Sequence, residues 1–222
     1  MSCSDLIVSE LKERWDDLTS YVVDEVKQKW WQRILSAYKE PHRRYHTLEH
    51  IHQMFQHYDC YKDSLTQDKF AFAIAIFFHD LVYDPKATDN EAKSAAAFRE
   101  FEGETTIDSG NYITMLIEST ASHCTDAHLN KGQVGEEDVH YFLDFDMAVL
   151  GSASSDYDTY RQQIREEYNH LDDKTYAENR MKVLRLFLQI PNIFATSAFR
   201  VNYEQRAREN VEREIDDLLK NG

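Results

Sequence analysis

Apolar residues recur through the first part of the chain at helical intervals. Leu6, Leu11, Trp15 and Leu18 share one face, and Val22, Val26, Trp30, Ile34 and Tyr38 follow at near-helical spacing. This predicts one or two amphipathic helices over residues 4–38, with Pro41 breaking the pattern. The Trp30–Trp31 pair reads as packing. A second stripe, Leu48, Ile51, Met54, Phe55 and Tyr58, predicts a helix capped by Thr47. The pattern then changes. From Phe70 to Phe78 all nine residues are apolar, and Lys69 is the last charge before them. No polar face remains for water, so this segment predicts a central helix surrounded by others. It is well short of the ~20 residues that span a bilayer. Two polar residues, His79 and Asp80, close it.

Beyond Asp84 a short loop leads to a helix with Asp89 or Asn90 as its N-cap and Glu91 in its first turn. Residues 108–122 predict another helix, with Tyr112, Met115, Leu116 and Thr120 on one face. A polar loop from His123 follows, and Glu136 and Glu137 open a short helix running into YFLDFDMAVLG. Tyr157–Tyr168 predicts a helix with Tyr160, Ile164 and Tyr168 inward, Thr175–Leu188 one with Met181, Leu184 and Leu188 inward, and Glu204–Leu219 a charged closing helix.

Composition supports an all-α fold. Six glycines and three prolines in 222 residues are few against the usual ~7% and ~5%, which leaves little material for tight turns. No linker, repeat or low-complexity block appears, so one domain over residues 1–222 is expected. The formal net charge of −15 repels polyanions and argues against a nucleic acid polymer as partner. A small anionic substrate stays compatible with it where basic residues cluster. Cys3, Cys60 and Cys124 show no metal or redox spacing, and neither a signal-like nor a membrane-spanning segment is present, so a cytoplasmic protein is expected.

Polar residues in apolar surroundings mark the candidate chemistry. His46 and His50 lie four apart beside Arg43, Arg44 and Tyr45. His79 and Asp80 end the apolar segment, and a desolvated carboxylate beside an imidazole needs compensation from a metal ion or from hydrogen bonds. Asp144 and Asp146 flank Phe145 in a further apolar run. Two imidazoles with carboxylates form a mixed N/O set suited to Zn, Mn, Fe or Ni, or with waters to Mg. Arg161, Arg165 and Arg180 are candidates to grip phosphate if their helices line the site.

The strings RRYHTLEHI, FFHDLVYD, DNEAKSA and LDFDMAVLG, with IREEY and YEQRARENVEREI later, resemble the HD-domain metal-dependent phosphohydrolases, in particular a bacterial group of predicted members, over nearly the whole chain. The resemblance implies a single helical bundle whose buried central helix ends at the His-Asp pair. It implies His50, His79, Asp80 and Asp146 as ligands of a divalent metal, Asp146 matching better than Asp144. Tyr45-His46-Thr47-Leu48-Glu49-His50 is similar to the Tyr-His-Asn-x-x-His pattern of cyclic-nucleotide phosphodiesterases, with Thr47 in place of Asn. That likeness makes His46 the leaving-group acid and His50 a ligand. Asp80 would orient or deprotonate the water, Arg43, Arg44, Lys93 and Arg165 would hold the phosphate, and His123 would serve a second metal or a phosphate contact. The implied reaction is hydrolysis of a small phosphate ester or phosphoanhydride, a nucleotide first among them, by attack of metal-bound water. Two other classes compete: a non-catalytic metal- or nucleotide-binding helical module, and a zinc peptidase using His46-Thr47-Leu48-Glu49-His50 as H-x-x-E-H.

Overall fold

A computed structural model describes residues 3–221, and among them every regular element is helical. The side chain of Cys3 lies outside the described residues. Chain contacts group the molecule into two compact units, Met1–Ser122 and His123–Gly222. The first carries α1 (Cys3–Leu18), α2 (Asp24–Ala37), α3 (Leu48–Tyr61), α4 (Lys69–Phe78), α5 (Asn90–Gly103) and α6 (Gly110–Ser119). The second carries α7 (Asp126–Leu129), α8 (Asp138–Met147), α9 (Ser154–Glu167), α10 (Asp173–Gln189), α11 (Ser197–Phe199) and α12 (Gln205–Asn221). A π-turn over Arg200–Glu204 joins the last two. No described helix is long and apolar enough to cross a membrane.

In the first unit α4 packs against α1, α3, α5 and α6. Ala71 to Phe78 are all buried, as a helix with no polar face requires. Its alternating alanines let neighbours approach while the phenylalanines fill the space between. Phe77 meets Trp15 edge-on at 5.4 Å and Phe55 at 4.9 Å; Phe78 lies 5.7 Å from Trp30 and 5.4 Å from Phe101. Each such ring removed from water contributes about 1.5–3 kcal/mol. Both ends of α4 are tied. Asp68 accepts from the amides of Phe70 and Ala71 and from the Ser109 hydroxyl. At the other end the Tyr38 hydroxyl donates to the Phe77 carbonyl.

The predicted faces of α1 and α6 need correction. Leu11 and Trp15 are buried, but Leu6 is 49% exposed. In α6 the inward face is Ile113, Leu116, Ile117 and the following Thr120, and Met115 is 40% exposed. Both stripes have helical spacing; which one faces inward depends on where α4 and α5 lie.

In the second unit α12 lays Val211 and Ile215 against Leu184 of α10. Arg180 of α10 grips Glu214 through Nε and Nη2, at 2.9 and 3.2 Å, and Tyr157 of α9 donates to the same carboxylate. Arg180 therefore has a structural partner, not a phosphate. On α9, Tyr157, Ile164 and Glu167 are buried, while Tyr160 and the following Tyr168 are half-buried. Gly151 sits where a Cβ would come 2.7 Å from the Tyr203 backbone oxygen, so only glycine permits that approach.

Candidate metal centre

α4 ends at Phe78, and His79 caps it, its amide bonded to the Ala75 carbonyl. The His79 ring turns inward and is 1% exposed. Its Nδ1 lies 2.9 Å from the Ile76 carbonyl oxygen. A carbonyl only accepts, so Nδ1 carries the proton and neutral His79 presents a lone pair at Nε2. That Nε2 stands 3.2 Å from His50 Nε2 and 3.1 Å from Asp80 Oδ2. His50 Nε2 is 3.8 Å from the same oxygen. Wherever the His50 proton sits, an ionised Asp80 and a neutral His79 bring two lone pairs together in a buried place. A cation relieves this, either a proton on His79 Nε2 or a metal ion. Ligand atoms ~2.1 Å from an ion at tetrahedral or octahedral angles are separated by ~3.0–3.4 Å. The two shorter edges fall in that range, and the His50–Asp80 edge is wider. A histidine giving its other nitrogen to a backbone carbonyl is also the usual setting of an imidazole ligand.

Local sequence positions both rings. Thr47 caps α3, accepting from the Glu49 amide, and His50 falls in the first turn of that helix beside the buried Leu48 and Ile51. His46 precedes the helix. It stacks on Tyr83, with ring centroids 4.2 Å apart, meets Tyr45 edge-on at 5.1 Å, and lies 6.2 Å from the His50 ring. His46 and His50 therefore do not occupy successive turns of one helix, and Glu49 is exposed. This is poor geometry for a peptidase H-x-x-E-H motif.

Arg43 is corrected from phosphate ligand to scaffold. It is 3% exposed, and its guanidinium donates to the carbonyls of Asp80 (2.7 Å), Leu81 (3.0 Å) and His46 (3.3 Å) and to the Glu40 carboxylate. One cation thus ties the turn bearing His79 and Asp80 to the segment bearing His46. Ser94 of α5, fully buried, holds the next residue by accepting from the Val82 amide and donating to its carbonyl. Asn90 brackets Asp84 in the same way instead of acting as N-cap; Asp89 holds that position. His42 Nε2 contacts the Tyr83 carbonyl at 2.8 Å. Tyr83 acts through its ring, stacked on His46, and Ser94 through the Val82 backbone, and both contacts depend on how the turn after α4 folds back.

Arg44 is exposed, and Lys93 is exposed with Asp89 2.7 Å away. Arg165, in the second unit, donates to the carbonyls of Tyr168 and Leu171 and to Asp173. It thereby joins the end of α9 to the start of α10, a structural duty in place of the expected phosphate contact. Arg161 likewise pairs with Asp158 and Asp217.

The second unit separates Asp144 from Asp146. Asp144 is 1% exposed and accepts from the Ala195 amide, the Thr196 amide and the Thr196 hydroxyl, at 2.6–2.8 Å. Burial pushes its pKa up to about 7, and those hydrogen bonds oppose the rise. Asp144 is a clamp for the loop before α11. Asp146 sits in the last turn of α8 with its side chain 12% exposed, and its Oδ2 lies 2.7 Å from His123 Nε2. His123 has φ +47°, the one non-glycine residue with positive φ among the described residues. The left-handed conformation costs an L-residue roughly 1–2 kcal/mol.

No family model, curated protein or solved structure matches the chain.

Proposed function

We propose that the chain is a metal-dependent phosphohydrolase of the HD type, acting on a small phosphate ester or phosphoanhydride, with a nucleotide the first candidate. In this reading, as the resemblance of the motifs implies, His50, His79, Asp80 and Asp146 hold one divalent ion, drawn from Mn, Fe, Zn, Ni and Mg. The observation that carries it is the meeting of His50 Nε2, His79 Nε2 and Asp80 Oδ2 with the His79 proton already given to Ile76. A proton alone would compensate only one line of contact. An ion takes a lone pair from each atom.

When bound, such an ion supplies Lewis acidity and lowers the pKa of a coordinated water. The chain's own residues do the rest. Asp80, partly exposed at the turn, orients the attacking water and takes its proton. His46, sandwiched by Tyr45 and Tyr83 and not buried, gives a proton to the leaving oxygen. Arg44 and Lys93 supply exposed positive charge for the phosphate. Arg43 keeps the carbonyls of Asp80 and Leu81 in place, so the ligand turn does not reorganise during turnover. The same reading puts the protein in the cytoplasm.

The test is metal analysis of protein purified without chelator, followed by a nucleotide and phosphate-ester panel with each metal. Near-stoichiometric metal and turnover of at least one phosphate substrate is the expected result. Less than about a tenth of an equivalent of metal, unrestored by Mn, Fe, Zn or Ni, would overturn the reading. Tight metal binding with no turnover on any substrate would favour a binding module.

A further inference from the structure

We propose that a cavity beside the turn carrying His79 and Asp80 receives the nucleobase of the substrate; this rests on the proposed function above. The residues that follow Asp80, Leu81 to Asp84, form one wall of a cavity of about 370 Å³, and residues of α2 and α5 form the others. All of its lining belongs to the first unit. Cavities of roughly 300–1,000 Å³ are the size that holds small organic ligands. Two lining residues connect it to the reaction. Tyr83 lines the cavity, and the same ring stacks on His46, with centroids 4.2 Å apart. The leaving-group acid of the proposed reaction therefore rests on a wall of the cavity. Lys93 lines it too, and is one of the two exposed cations assigned to the phosphate. A substrate whose phosphate meets Lys93 and whose leaving oxygen meets His46 has its organic part here.

The lining selects among organic groups. Leu81 and Tyr83 bring apolar and aromatic surface. Glu40 and Asp84 bring carboxylates, which only accept hydrogen bonds. Glu40 receives the Arg43 Nε at Oε2, and a carboxylate has about four acceptor positions, so it takes further donors. An apolar wall with acceptors at its edge fits a flat heterocycle that carries N–H groups. A nucleobase is such a group, with π faces that pack on apolar and aromatic side chains and hydrogen-bond donors along its edge. A sugar phosphate brings hydroxyls on every side and no flat face for Leu81 and Tyr83. An inorganic polyphosphate brings only acceptors, which Glu40 and Asp84 repel.

The experiment is calorimetric titration of the full chain, as purified, with adenosine, guanosine, cytidine and uridine, and with ribose as the control. Nucleosides lack phosphate, so their binding reads the cavity apart from the metal centre. Ser36→Trp fills the cavity from an exposed position on α2. The expected result is that at least one nucleoside binds roughly 10-fold or more tighter than ribose. Ser36→Trp should weaken that binding by roughly 10-fold or more at an unchanged thermal midpoint. The same nucleoside should inhibit hydrolysis of its monophosphate competitively. No nucleoside bound by wild type, ribose bound as tightly, or binding unchanged in Ser36→Trp each overturns the proposal. Inhibition that is not competitive also overturns it, by placing the nucleoside away from the reacting phosphate. The wild-type comparison with ribose holds even where Ser36→Trp does not fold. Nucleoside binding that Ser36→Trp abolishes, in a protein that hydrolyses no phosphate substrate, overturns the proposed function and keeps the nucleobase site.

Discussion

Replacing Arg43 with alanine tests how the candidate centre is held. Arg43 donates to the carbonyls of Asp80, Leu81 and His46 and to Glu40 from a position 3% exposed. The bonds to Asp80 and Leu81, at 2.7 and 3.0 Å, are the strongest to backbone, and the donor is charged. Such bonds contribute about 1.5–3 kcal/mol each, so losing these two costs about 3–6 kcal/mol. The guanidinium also packs over Tyr38 and Tyr83, at 5.0 and 5.4 Å, and that packing goes with it. The assay is urea unfolding with metal titration on the same samples. With a slope of roughly 2–3 kcal/mol per molar for a chain of this size, the midpoint should fall by about 1–3 M. Metal affinity should fall as well, because the turn carrying His79 and Asp80 loses its tether. Arg43→Lys should recover only part of either loss, since an ammonium cannot match a planar fork that serves several carbonyls. An Arg43→Ala protein with an unchanged midpoint and unchanged metal affinity, but a raised KM for phosphate substrates, would refute this reasoning. It would return Arg43 to the phosphate-binding role its sequence position suggests.

His50→Ala should lose metal and activity together, whereas His46→Ala should keep the metal and fall in rate by about 10²–10⁴. That loss should be small on p-nitrophenyl phosphate, whose leaving group hardly needs a proton; equal metal loss in both variants would make the two histidines joint ligands. Asp144→Ala should leave the Ala195 and Thr196 amides without their buried acceptor and destabilise the protein by roughly 2–5 kcal/mol. Asp146→Asn should instead leave the unfolding curve near wild type and lower metal affinity. His128 is 1% exposed, and burial, with His140 and Arg200 nearby, lowers its pKa from 6.5 to about 4. The unfolded chain therefore binds a proton that the folded chain lacks between pH 6.5 and 4. Stability rises with pH through that window and is lost on acidification, by on the order of 3 kcal/mol from this group. Stability curves of wild type and His128→Gln from pH 4 to 7 check this; identical slopes would refute it.

Some of this molecule was decided by local order along the chain. Nine consecutive apolar residues leave a helix no face for water, so the burial of α4 follows from Phe70–Phe78 alone. Thr47 as a cap, and the stripe Leu48, Ile51, Met54, Phe55 and Tyr58 on the core side of α3, follow from spacing and from hydroxyl chemistry. His50, in the first turn of α3, meets His79, at the end of α4, because those two helices pack together. Other features were settled only by tertiary structure. That Asp144 is committed to a structural clamp depends on donors at Ala195 and Thr196, about fifty residues away in sequence. Arg43 carries the same charge whether it faces phosphate or three carbonyls, and only the course of the chain after Asp80 brings those carbonyls to it. The outward turn of Met115 and Leu6 reflects the same limit. Periodicity defines the faces of a helix, but its neighbours decide which face is buried.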